Sequence, residues 1–175
     1  MQFGKFLGVL ALALLSVISL KAQEERGIFV EGVAALASEH TENYAILTPA
    51  VGYQFNDRWA LGFKMGFETA DFDYKHYTPF VRFSFLTGSA FRMFVEGKLS
   101  FAIRDVDGGQ STYQEAGFSL GASYKVCPHL RVIAQYLFLG WSNDEDKYGA
   151  WLGKHSGFAL DANVYRAQLG LQFMF

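Results

Sequence analysis

Residues 59–68 read WALGFKMGFE, and this stretch decides the class of structure. Trp59, Leu61, Phe63, Met65 and Phe67 share one parity, and Ala60, Gly62, Lys64, Gly66 and Glu68 share the other. Successive side chains of a strand point to opposite faces, so strict period two sets large apolar groups on one face and small or charged groups on the other. A helix would repeat its apolar positions every three or four residues, and here none do.

The same pattern extends in both directions. Ala45, Leu47, Val51, Tyr53 and Phe55 stand against Thr48 and Gln54 in 44–55, and Ile28, Val30, Ala34 and Leu36 against Glu31 in 28–37. Downstream, 76–85 sets Tyr77, Val81, Phe83 and Phe85 against Thr78, Arg82 and Ser84. In 91–103, Met93, Val95, Leu99 and Phe101 oppose Glu96, Lys98 and Ser100, while Phe94 falls on the polar parity. In 113–126, Phe118, Leu120, Ala122, Tyr124 and Val126 oppose Glu115, Ser119, Ser123 and Lys125. The last segment, 165–175, sets Leu169, Leu171, Phe173 and Phe175 against Arg166, Gln168, Gly170 and Gln172. With 131–141, which alternates less clearly, these make eight strands.

Two places resist. In 131–141 the nominal inner face carries Ile133, Leu137 and Leu139, so that face is apolar or the register slips by one. Between Phe158 and Val164 the apolar residues fall on even numbers and from Leu169 on odd ones, which a bulge near Tyr165, or a strand that starts there, would explain.

The connections alternate as well. Those at 56–58, 87–90 and 127–130 are three or four residues long, whereas 38–43, 70–75, 104–112 and 142–157 run to six, six, nine and sixteen. Short turns then lie at one end and long loops at the other. This is an all-β chain folded as an eight-stranded antiparallel up-and-down β-barrel.

Composition agrees with strands and narrows the class. Of 175 residues, 51% are hydrophobic, 17% aromatic and 18% charged, with eighteen Phe, nine Tyr and eighteen Gly. So much apolar surface excludes a disordered chain, and one cysteine, Cys127, excludes an internal disulfide framework. A net charge of −2 leaves no basic footprint for nucleic acid. Residues 1–23 have the order of a secretory signal peptide: Lys5, an apolar run from Phe6 to Ile18, then Ser19 and Ala22 before the charged Glu24 and Glu25. Its removal would take away two lysines and no acid, moving the charge from −2 to −4 and leaving a barrel over 24–175.

Alternation does not say which face points out. A soluble lipid-binding barrel turns its apolar residues inward, and a transmembrane barrel turns them to lipid. Strands of about ten residues suit a bilayer crossing. Aromatics crowd the strand ends: Tyr53, Phe55, Trp59, Phe83, Phe85, Phe91, Tyr124 and Phe173 toward the short turns, and Tyr44, Tyr77, Phe101, Trp141 and Phe158 toward the long loops. Two such belts are expected at membrane interfaces. On the polar parity, Glu31, Glu68, Glu96 and Glu115 can pair with Lys64, Arg82, Lys98, Lys125, Arg131 and Arg166 inside a narrow barrel.

The chain ends YRAQLGLQFMF, an alternating strand that stops on Phe175. Together with FVEGKLSFAI (94–103), TPFVRFSF (78–85) and GYQFNDRWALGFKMGFE (52–68), this resembles the small bacterial outer-membrane β-barrel family, OmpA/OmpX-like and porin-like, of the sort common in Bacteroidota. The resemblance implies a location in the outer membrane, with lipopolysaccharide among its lipids. It also implies a terminal strand in which Phe173 and Phe175 are part of the signal for the barrel-assembly machinery. It carries no catalytic motif and no cofactor.

Eight strands enclose a lumen just wide enough for side chains, so no open pore is expected and the chain is expected to be a monomer with a structural or surface-interaction role. The long loops together carry a charge near −5. The longest offers Asp144, Glu145, Asp146, Trp151 and His155 to an extracellular partner. An alternative is a lipid-modifying enzyme resembling lipid A deacylases or acyltransferases. Its base and nucleophile would be His155 and Ser156, yet they are adjacent, whereas the deacylase pattern sets them two apart on one strand. His40, His76 and His129 show no ligand spacing. Asp105–Gly109 resembles the start of a calcium loop but has Ala116 where the bidentate glutamate would stand.

Overall fold

The computed structural model describes residues 26–39, 42–69, 74–106, 109–143, 157–162 and 164–175. The expected leader at 1–23 lies outside them. Among the described residues nine strands form: β1 (Gly27–Glu39), β2 (Glu42–Gln54), β3 (Trp59–Glu68), β4 (Tyr74–Thr87), β5 (Phe91–Val106), β6 (Gly109–Cys127), β7 (Leu130–Ser142), β8 (Gly157–Asp161) and β9 (Gln168–Met174). Each of β1 to β7 pairs antiparallel with the next, and β9 pairs with both β7 and β1, which closes the ring. The eighth position in the wall is shared. β9 fills its lower part against Leu130–Gln135, and β8 fills its upper part against Phe138–Ser142.

This sharing settles both irregular places. Leu137 has φ of +61°, a left-handed conformation that a branched residue adopts only under constraint, and it sits where β7 passes from β9 to β8. The extra residue shifts the parity. Arg131, Ile133 and Gln135 point inward below it, and Phe138, Gly140 and Ser142 above it, so Leu139 faces out and is no part of the inner face. Opposite, a 3₁₀ turn at Val164–Arg166 separates β8 from β9 and resets the parity there. The terminal strand expected over 165–175 is β9, which starts after this turn, and the even-numbered run before it belongs to a separate short strand, β8.

All four long connections are shorter than expected, two of them by several residues. β1 and β2 stay paired to Glu39 and Glu42, and β5 and β6 to Val106 and Gly109, so only 40–41 and 107–108 connect them. Polar side chains had marked these stretches as loops, but the backbone carries the ladder through them. The connection at 143–156 remains long.

At the short-turn end, Asn56 accepts hydrogen bonds on its side-chain oxygen from the backbone N–H groups of Arg58 (2.9 Å) and Trp59 (3.0 Å). This Asx turn reverses the chain between β2 and β3.

The barrel is inverted relative to a soluble one. Ile28, Leu61 and Phe118 are 54%, 49% and 58% exposed on the outside, whereas Glu96 and His76 are fully buried in the lumen. Aromatics gather at the two ends of this outer surface, Trp59, Phe55, Phe85, Phe91 and Tyr124 toward the short turns and Phe101, Trp141 and Phe158 toward the loops.

Inside, rings lie over glycines of the neighbouring strand. A Cβ on Gly52 would stand 2.3 Å from Phe29, on Gly62 2.4 Å from Phe80, and on Gly121 2.3 Å from Phe94. Without these gaps a lumen this narrow has no room for the rings. Gly121→Ala is therefore expected to destabilise the barrel by about 1–3 kcal/mol, the cost of overpacking, measured by urea unfolding in lipid vesicles. Ser119→Ala, a truncation on the same inward face that adds no volume, should cost less.

Candidate functional site

The chemistry-bearing side chains converge in the lumen, because the inward parity of every strand delivers its polar residues to one axis. At the centre stands Arg82 of β4. Its guanidinium grips Glu31 of β1 through Nη1 (3.0 Å) and Nη2 (3.2 Å), and Glu96 of β5 through Nε (3.2 Å) and Nη2 (2.7 Å). Lys64 of β3 reaches the other oxygen of Glu96 at 2.5 Å and donates to Gln135 of β7 at 3.1 Å. Gln135 donates in turn to Glu96 at 2.8 Å, and Gln172 of β9 to Glu31 at 3.4 Å. Six strands are tied across the barrel by this one network. Its two carboxylates and two cations cancel, which is what allows so many charges to leave water together.

Aromatic faces complete the cage. Arg82 lies 4.3, 5.1 and 5.9 Å from the ring centres of Phe94, Phe80 and Phe29, and Lys64 lies 4.8 Å from that of Phe80. Each cation meets the electron-rich face of a ring.

A second cluster sits nearer the loop end. Glu115 of β6 is ion-paired with Lys98 of β5 (3.2 Å) and accepts from Arg166 of the 3₁₀ turn (2.8 Å), and Arg166 also donates to Asp161 of β8 (2.8 Å). Phe138 lies under both cations, 5.0 Å from Lys98 and 4.6 Å from Arg166. Again two acids face two bases. A third group links His76 to Thr48 (3.3 Å) and Thr78 (3.0 Å), and Thr78 donates to Ser100 (2.9 Å). Because the Thr78 proton goes to Ser100, this chain is satisfied when His76 carries its proton on Nδ1 and accepts from Thr48 on Nε2.

Of the residues expected to form an interior network, Glu31, Lys64, Arg82 and Glu96 meet at the centre, and Lys98, Glu115 and Arg166 meet above them. Glu68 is buried on β3. Lys125 is not buried with the rest; it is half-buried near the short-turn end, where the β6–β7 pairing is irregular between Lys125 and Cys127. Sequence reasoning missed Gln135 because the Leu137 shift blurred the parity of β7, and missed Asp161 because the parity of 158–164 conflicts with that of the strand after it. The signal for Asp161 is the even-numbered apolar run at 158–164, which sets Asp161 on the opposite parity.

At the chain's end, Phe173 stacks on His129 (5.8 Å between ring centres) and meets Phe175 edge-on at 5.2 Å. The Phe175 N–H donates to the Ile28 carbonyl at 3.0 Å, so the terminal aromatic pair lies along the seam that β9 closes with β1. The loop residues Asp144, Glu145, Asp146, Trp151 and His155, and the adjacent Ser156, lie outside the described residues. Among the described residues no group of three or more His, Cys, Asp or Glu side chains could hold a metal ion.

The fold is similar to that of the N-terminal β-barrel domain of Pseudomonas aeruginosa OprF, with a TM-score of 0.60 over 86% of this chain and 100% of that one, at 17% identity. The chain has the fold of the small outer-membrane β-barrels. Neisserial surface protein A is a further likeness, at 20% identity and a TM-score of 0.49 over 85% of this chain and 97% of that one. No family model and no curated protein sequence matches the chain.

In this outer-membrane barrel fold the lumen is a plug of paired charges. Arg82→Met leaves Glu31 and Glu96 buried without their shared partner and is expected to cost about 3–5 kcal/mol in urea unfolding. Adding Glu31→Gln to that variant removes one stranded charge and should recover part of the loss. No recovery would mean that Arg82 acts through packing on the three rings instead.

Proposed function

We propose that this chain is a bacterial outer-membrane β-barrel protein with a structural or surface-interaction role and a closed lumen. The observation that carries this reading is the inversion: a neutralised charge network on the axis and an apolar outer wall ending in aromatics at both rims. A soluble lipid-binding barrel needs an apolar cavity, and the lumen here holds Arg82, Lys64, Glu31 and Glu96 in its place. With those side chains crossing the axis, the barrel conducts no steady ion current. The fold is shared with a domain of OprF, which supports a membrane setting.

Within this proposal, 1–23 is the leader that sends the chain across the inner membrane, and Phe173 with Phe175 belong to the signal that the barrel-assembly machinery recognises. The surface role belongs to the connection between β7 and β8, whose acids and Trp151 are suited to an extracellular partner. The protein works as a monomer and without a cofactor. No described geometry favours the lipid-modifying alternative.

Three measurements test the reading. Cell fractionation should place the protein with the outer membrane, extractable only by detergent, and its gel migration should shift on boiling. Recovery in the aqueous fraction would overturn it. In planar bilayers the refolded protein should show no persistent conductance, and a stable open level would overturn the closed lumen. Deleting 144–156 should leave the boiling shift intact and abolish partner binding by whole cells; unchanged binding would remove that connection from the surface role.

A further inference from the structure

The centre of the lumen and its upper cluster each set two acids against two bases; the short-turn end is built differently. Arg92 is the second residue of β5, Arg131 the second of β7 and Lys125 the third from the end of β6, so all three stand at that end. Lys125 lies directly opposite Arg131, and Arg92 lies opposite Ser123, two residues from Lys125. Three cations thus occupy three adjacent strands. Like charges face to face weaken a sheet unless an anion lies among them. Water does not supply the balance, because Arg92 and Arg131 are 3% and 2% exposed. Among the described residues, the other polar side chains buried at this end are the hydroxyls of Ser84 and Ser123 and the amides of Gln54 and Gln172. Glu31 stands in the row of Arg131, across Gln172, but both of its oxygens accept from Arg82.

We propose that Glu24 and Glu25, which precede β1 and lie outside the described residues, are the counter-charge to Arg92, Lys125 and Arg131 and seal the short-turn mouth once the leader is removed. The proposal rests on the leader and closed-lumen reading above. Chain direction, reach and tethering select this occupant. β1 starts at the same end, with Gly27 paired to Gln54, so the chain itself delivers the two acids to the mouth. Two and three residues of chain span up to about 7 and 10 Å. The strand carrying Arg131 is two positions from β1, about 10 Å around the wall. Side chains cover the remaining distance, as Arg82 already does in reaching Glu31 from three strands away. Gly27 has a φ of +150°, and a Cβ there would stand 2.8 Å from the Phe175 carbonyl oxygen, so the chain enters β1 by a path open only to glycine. Tethered so closely, the acids hold an effective concentration in the millimolar range or above, which a dissolved anion must match to displace them. Two acids against three cations leave one positive charge, and half-buried Lys125 keeps water for it.

The test uses the chain from Gln23 onward, refolded into phosphatidylcholine vesicles. Gln23→Cys puts a thiol beside the acid pair, and Cys127, exposed in the β6–β7 turn two residues from Lys125, is its native partner. Mild oxidation should join the two within one chain, read as loss of reactive thiol without dimer on gels. Adding Glu24→Gln with Glu25→Gln should slow the joining about fivefold, a factor of two to three for each partly screened pair lost. Removing nearby negative charge by itself favours the thiolate and speeds oxidation, so slowing reports distance. Salt at about 1 M, which cuts the screening length to about 3 Å, should slow the parent to the same rate. Equal rates in all three cases would overturn the proposal. A second measurement needs no new cysteine. Phosphate, against chloride of equal ionic strength, should raise the urea midpoint of Glu24→Gln with Glu25→Gln and leave that of the parent unchanged, because the vacated cations then take the dissolved anion. An equal rise in both would assign the mouth to a dissolved anion and overturn the acid pair. No rise in either would show that the cations need no anion, and would overturn it too. The boiling shift should persist in every variant; its absence from the parent would overturn the barrel reading instead.

Discussion

The position of Arg82 is the constraint on which the rest of the barrel depends. A ring of eight strands is too narrow to hold a column of water and too wide to close on backbone alone, so its axis must be filled by side chains. Filling it with hydrocarbon would leave a chain apolar on both faces. Filling it with charge requires that every charge find its opposite without solvent. Arg82 solves this by gripping Glu31 and Glu96 at once, and the rings of Phe29, Phe80 and Phe94 replace the water that its flat faces would otherwise lose. The glycines opposite those rings, and the second quartet of charges around Glu115, follow from the same demand for volume and neutrality.

Much of this was legible in the residue pattern. The alternation of Trp59 to Glu68 set the face assignments for β3, and the structure keeps them residue by residue. The inward placement of Glu31, Arg82 and Glu96 could be read for the same reason, since side-chain parity is a property of the backbone and needs no knowledge of neighbours. What parity leaves open is which charges meet. Arg82 and Glu31 are far apart in sequence and adjoin only because β1 and β4 curve around one axis, so their pairing depends on closure and register together.

Where reading failed, a local backbone event was the cause. Leu137 adopts a left-handed conformation that a leucine does not announce, and every parity inference beyond it slips by one. Loop lengths were overestimated for a different reason. Residues such as Glu39, Glu42 and Gln110 look like loop because they are polar, yet strands that rise past the apolar belt have no need of apolar side chains. Polarity there marks height along the barrel and not the end of the ladder.

The division of the eighth wall position has a consequence for what the barrel tolerates. Below the 3₁₀ turn, β9 joins β7 to β1 and completes the ring without help. Above it, β8 is joined to β7, and among the described residues no other strand pairs with it. The β7–β8 hairpin thus hangs from a ring already complete beneath it, like a handle on a hoop. Foreign peptides grafted between its two arms would load the handle and spare the hoop, which makes this connection a natural display platform on an otherwise rigid scaffold.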